Sequence, residues 1–248
     1  MTAVAQLTVA PRFCGPAASA NGGYFAGLVA GLVDAPLRVR LRRPPPLGVA
    51  LSATISADGR ITVQHGDELV AEAHPERLSL DAPPAVSRFV ADEAALRYHA
   101  RQMPHLFPHC FVCGPRRPVG DGLRIFAGEV MGRDEPGLVA APWIPDSSLG
   151  LADGKVAAQF MWAALDCPGY FATSAAAAGR MALLAEHAAR IERRLRVDEP
   201  AVVIGWRLGG EGRRHESGTA LFGADGELCA SARAVWIEPR TAGQSQRG

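Results

Sequence analysis

The sequence predicts an α+β protein in which one plan, a helix wrapped by an antiparallel meander, is used twice. Two apolar segments of helical character, 25–33 and 156–165, each follow a strand signal and precede alternating runs broken by tight turns. The runs also echo one another. Glu68-Leu69-Val70-Ala71-Glu72-Ala73 matches Glu227-Leu228-Cys229-Ala230-Ser231-Ala232, and Ala57-Asp58-Gly59 matches Ala224-Asp225-Gly226, as a divergent duplication would leave them.

The first half, 1–81, opens with a short strand at 7–13 and then the helix start Asn21-Gly22-Gly23-Tyr24. Asn21 is the sole asparagine, and asparagine is a strong N-cap. A strand at 37–41 follows, set off by Pro44-Pro45-Pro46. Val49, Leu51, Ala53 and Ile55 alternate, Asp58-Gly59 turns the chain, and Ile61 and Val63 alternate before Gly66-Asp67 turns it into Leu69-Val70-Ala71. Residues 82–108 read as a connector, broken by Ala82-Pro83-Pro84, with a short helix at 91–101 ended by Pro104 and Pro108.

The second half, 109–240, repeats the plan with strands at 122–126 and 138–141, the helix at 156–165, and a closing meander at 202–208, 219–222 and 228–236. Extra residues lie between its helix and meander. There, 186–196 is rich in Glu, Ala and Arg and favours helix, yet the repeat asks for a strand, which is placed at 181–190. Residues 241–248 read as a disordered tail.

Composition narrows the function. The 248 residues are 48% hydrophobic and 21% charged with net charge +1, a balance that lacks the clustered cations of a nucleic-acid binder. No leader pattern is visible, and the apolar segment at 24–33 is too short to span a bilayer, so no membrane partner is expected. Five cysteines, an odd number, do not suggest a disulfide framework, and a cytoplasmic, reduced location is expected. There is no G-x-S-x-G elbow, H-E-x-x-H or phosphate loop.

The order of several motifs resembles the tandem (double) hotdog fold of acyl-CoA thioesterases. Cys110-Phe-Val-Cys113-Gly114 with Gly120-Asp-Gly-Leu-Arg-Ile-Phe126 is similar to the opening of many single-domain hotdog thioesterases. Ala163-Ala164-Leu165-Asp166 with Gly169, and Asn21-Gly22-Gly23-Tyr24, are similar to the helix of the phenylacetyl-CoA type. The resemblance covers most of 7–80 and 109–238. It implies that a backbone N–H at the helix start, matched here by Gly23, polarises the thioester carbonyl. An acid from the partner hotdog, matched by Asp166, acts as base or nucleophile. Ala30 and Gln159 stand where the reciprocal acid and glycine would be, so one working and one degenerate site per chain are implied. The hydratase branch carries a His five residues after its Asp, and position 171 is Phe.

The residues themselves allow this chemistry. Exposed N–H groups of Gly22 and Gly23, at the positive end of a helix dipole, would receive an oxyanion; Asp166 would activate water or attack directly, with no cofactor. Burial beside Phe160, Trp162 and Tyr170 should raise its pKa. Without the resemblance, Asp166 reads first as a cap of the turn before Pro168, and Asn21 as a helix cap in either case. Tyr24 and Trp162 are candidates for substrate binding, as are Arg213 and Arg214, which beside His215 read either as holding phosphates of coenzyme A or as a solvated turn. Cys110 and Cys113, with His105 and His109 nearby, suggest zinc, but a closed site needs four ligands and no second Cys pair follows. They are read as structural, with no metal assigned. The leading expectation is hydrolysis of an acyl-CoA or related thioester at one composite site. The alternatives are a non-catalytic acyl-CoA-binding protein and a structural pairing module, and hotdog sheet edges or helix faces would also allow a homo-oligomer.

Overall fold

A computed structural model describes residues 3–101 and 104–240; the expected tail at 241–248 lies outside them. The elements run β1 (Ala3–Thr8), α1 (Gly22–Ala30), β2 (Leu37–Leu41), β3 (Ala50–Ile55), β4 (Ile61–His65), β5 (Glu68–Pro75), α2 (Arg88–Ala100), β6 (Gly128–Glu129) and β7 (Val139–Trp143). They continue as α3 (Ala158–Ala164), α4 (Cys167–Phe171), α5 (Ser174–Ala177), β8 (Leu183–Ile191), β9 (Ala201–Glu211), β10 (Arg214–Phe222) and β11 (Leu228–Ile237). Among the described residues, eleven strands form one antiparallel sheet in the order β1-β3-β4-β5-β2-β8-β11-β10-β9-β7-β6. The order reads outward from a seam between β2 and β8 as 2-5-4-3-1 on one side. On the other it reads 8-11-10-9-7, the same path repeated.

Alternation decides what each strand buries. Leu51 and Ala53 of β3, Ile61 and Val63 of β4, and Leu37 and Val39 of β2 point to one face, where they meet Phe25 and Val29 of α1 and Met161 of α3 in a shared core. The second set of strands is covered on both faces. Val203 and Leu221 join the central core, while Val202, Ile204, Trp206 and Phe222 turn to Ala91 and Ala94 of α2. That is why 201–206 is buried without a break.

At the seam, Val39 pairs with His187, whose side chain is fully buried and meets the Trp162 ring edge-on at 5.4 Å. Neither of its ring nitrogens has a hydrogen-bond partner, and burial, opposed by the nearby Trp162 backbone, pushes its pKa down to about 4.

Several expectations change in detail. The strand at 181–190 is β8, formed against local propensity because its edges pair with β11 and β2. The extra residues before it fold as α4 and α5. The strand expected at 122–126 is absent: Leu123 and Ile125 are buried, but their N–H groups bond to the carbonyls of Phe111 and Val112. The first strand ends at Thr8, and Pro11–Phe13 is a 3-10 turn. The Ala-Asp-Gly echo also falls at non-equivalent turns, between β3 and β4 in one case and β10 and β11 in the other. The match between β5 and β11 does join equivalent strands.

Candidate active site

The site assembles where the start of α1 meets the end of α3. Asn21 is the N-cap of α1, in extended backbone, and its Oδ1 accepts from the Tyr24 N–H at 2.9 Å. Its side chain is buried, and the other end does separate work: Nδ2 donates to Asp166 Oδ2 at 2.6 Å. The Gly23 N–H donates to the same oxygen at 3.0 Å. Asp166 Oδ1 is buried without a hydrogen-bond partner. Asp166 starts α4 by position, but its side chain makes no capping bond. One carboxylate oxygen is therefore anchored twice and the other is left over.

Two glycines make the approach possible. A Cβ on Gly23 would lie 2.6 Å from Asp166 Cβ and 2.8 Å from the Trp162 carbonyl oxygen. One on Gly27 would lie 2.7 Å from Gln159 Cα. Glycine at these positions serves helix–helix contact as much as access to the backbone.

Burial is the largest influence on Asp166, which is 3% exposed, and pushes its pKa up to about 7. The Gly23 N–H opposes this, Cys110 adds to it, and Asn21 opposes it. Cys110 lies next to the acid and contacts two more thiols. Hydrogen bonds from Cys113 and Cys167 hold its thiol well below the ordinary range, while burial raises Cys113 and the bond to Cys110 raises Cys167.

Asp166, Asn21 and Gly22 border a cavity of about 450 Å³. Its apolar walls include Tyr98, Phe107, Phe171 and Trp236, drawn from the end of α2, the segment after it, α4 and β11. His105 also lines it. Its Nδ1 accepts from the Phe107 N–H at 3.0 Å, so the neutral ring carries its proton on Nε2, which has no partner. Burial lowers its pKa.

Of the residues expected from sequence, Asn21, Gly22, Gly23 and Asp166 are brought together. Tyr24, Trp162, Arg213 and Arg214 do not line the cavity. Tyr24 is buried and stacks on Phe13 at 4.2 Å, and burial pushes its pKa up to about 12. Trp162 is buried beneath α1, against the position where Gly27 would carry a side chain. Arg213 donates to the Glu238 carbonyl at 2.6 Å and Arg214 pairs with Glu216, both on the exposed end of the β9–β10 hairpin. Sequence reasoning missed the aromatic wall and Cys167. The latter had a signal, since it directly follows Asp166, but its proximity to Cys110 depends on a fold contact across 57 residues.

No family model matches the chain, and no curated protein matches it. Solved structures do. It is similar to the TesB protein of Mycobacterium avium subsp. paratuberculosis, with TM-score 0.62 and 15% identity over 96% of this chain and 93% of that one. It is similar to the acyl-CoA thioesterase II TesB2 of Mycobacterium marinum, with TM-score 0.58 and 16% identity over 97% and 94%. It is similar too to a conserved hot dog fold protein of unknown function from Alicyclobacillus acidocaldarius, with TM-score 0.56 and 11% identity over 97% and 94%. These likenesses run the length of the sheet and both central helices, and the chain has the tandem hotdog fold.

Proposed function

We propose that the protein hydrolyses an acyl-CoA or related acyl thioester at a single composite site between two hotdog halves, 1–81 and 109–240. The observation that carries this is the split carboxylate. Asn21 and Gly23 fix Asp166 Oδ2, and Oδ1, buried and unpaired in a residue that borders the cavity, is the oxygen left to take up a water that enters with the substrate. Asp166 takes the proton of that water, the hydroxyl oxygen attacks the acyl carbon, and the tetrahedral intermediate expels the thiolate, which leaves as the thiol after protonation. The Gly22 N–H, first in α1 and without a hydrogen-bond partner among the described residues, receives the oxyanion at the positive helix end. Gly23, the donor suggested by the resemblance, is occupied in orienting the base. The aromatic wall receives the acyl group.

The bound Gly23 N–H also favours a second reading, a protein that keeps the acyl pocket without turnover. Thiol release from short, long and aromatic acyl-CoAs, with wild type and Asp166→Ala side by side, separates the two. Hydrolysis lost in the variant supports the composite site. No turnover with any substrate, together with a ligand-induced rise in Tm, supports the binding protein. Turnover that survives in the variant removes Asp166 from the mechanism.

A further inference from the structure

Cys110, Cys113 and Cys167 bring three buried sulfurs within 4.8 Å of one another, and the proposed hydrolysis uses none of them. We propose that these three thiolates form a zinc site whose fourth position opens to the cavity beside Asp166. The case rests on geometry and donor chemistry. Thiolates 2.3 Å from a tetrahedral zinc lie about 3.8 Å apart. Cys110 Sγ and Cys167 Sγ are 3.7 Å apart before any ion is bound.

The supporting backbone is already closed. Cys110 and Cys113 sit on one tight turn, fixed by the Gly114 N–H donating to the Cys110 carbonyl at 2.9 Å. Arg117, buried behind the turn, donates to the His109 carbonyl at 2.8 Å and the Arg12 carbonyl at 2.6 Å. The third sulfur comes from the first residue of α4. Asn21 Nδ2 stands 4.0 Å from Cys110 Sγ, where it can donate to a thiolate and steady it.

Three soft sulfur donors select a thiophilic ion over magnesium or calcium. All three cysteines border the cavity, so a water or a ligand atom can complete the tetrahedron. His105 does not complete it in this arrangement, because its Nδ1 lone pair is engaged and Nε2 carries the proton. Binding replaces the remaining thiol protons with the ion and changes no oxidation state.

The test uses the full chain, reduced and stripped of metal, titrated with zinc and with cobalt(II) under oxygen-free conditions. One ion per chain is expected, with a tetrahedral cobalt spectrum and thiolate-to-metal charge transfer of three-sulfur intensity. Cys113→Ser and Cys167→Ser should each lose about a third of that band and bind more than about 10-fold more weakly. Cys229→Ser, outside the cluster, should match wild type. If the cluster variants do not fold, wild type still decides: zinc must raise its Tm in a saturable, one-to-one manner and cobalt must show the three-thiolate band. Substoichiometric uptake, absence of the thiolate band, or cluster variants that bind like wild type would overturn the site. The outcome is distinct from that of the hydrolysis test, since Asp166→Ala leaves all three sulfurs in place.

Discussion

The two central helices begin at equivalent places in the repeat and behave differently. Both N-caps, Asn21 and Ala157, hold extended backbone, with φ −61° and ψ 129° for one and φ −65° and ψ 143° for the other. Asn21 caps its helix and reaches the acid at the end of α3; Ala157 has no side-chain cap. Gly23 lets Asp166 close to hydrogen-bond distance, whereas Gln159 stands at the matching position in α3. Ala30, at the end of α1, offers no acid in return. The lesson is that the fold supplies two similar helix ends, and three side-chain choices decide that one of them holds an ionisable group.

The largest effect should come from removing that group. Asp166→Asn keeps an acceptor for Asn21 and Gly23 but no base, and turnover in a thiol-release assay should fall by about 10²–10⁴-fold. The raised pKa of about 7 makes two opposite statements for the metal-free chain. If Asp166 is the base, as proposed, it must be ionised, so kcat/KM of wild type should fall as pH drops through about 7. The fold prefers the neutral carboxyl, whereas the unfolded chain ionises near pH 4. Stability from this group is therefore fully present below about pH 4 and lost as pH rises to about 7. Chemical denaturation at pH 8 should find Asp166→Asn more stable by about 2–4 kcal/mol, with the gain vanishing near pH 4. A variant no more stable at pH 8 would sink the assigned shift.

Gly23→Ala tests the close approach itself. Its Cβ would need the helices to part, at a cost of about 1–3 kcal/mol in denaturation and with turnover reduced alongside. Asn21→Ala removes both the cap and one anchor of the carboxylate, and should cost about 1–2 kcal/mol. The smallest change belongs to the other helix. Gln159→Ala should leave thiol release unaltered, and a clear loss there would mean that the second helix start is not idle.

Much of this was legible in the chain. The helix start was readable because Asn before two glycines is a strong capping signal, whereas Asp166 read first as a turn cap and became a site candidate only through the family resemblance; its side chain makes no capping bond. The β8 strand required the repeat to overrule propensity in 186–190, where Glu186, Ala188, Ala189 and Arg190 favour helix. The repeat gave no such help at 122–126, where buried alternation at Leu123 and Ile125 looks like a strand but is satisfied by a loop. Tyr24 and Trp162 show a further limit. Aromatic residues beside a candidate site position are as well suited to packing the helix as to lining the pocket, and only the direction of the side chain separates these uses. Arg213 and Arg214 sit at a turn, and turn position alone says nothing about the distance to a cavity formed elsewhere.

The seam between β2 and β8 is short, with Arg38, Val39 and Arg40 paired to Ala188, His187 and Glu186. Between separate chains, such a junction and the helices packed behind it would assemble only as fast and as completely as concentration allowed. Here both edges belong to one polypeptide, so their meeting is intramolecular, at an effective concentration set by the chain between them. The pairing of the two halves should then be indifferent to dilution, and each half is free to change without the same change appearing in its counterpart.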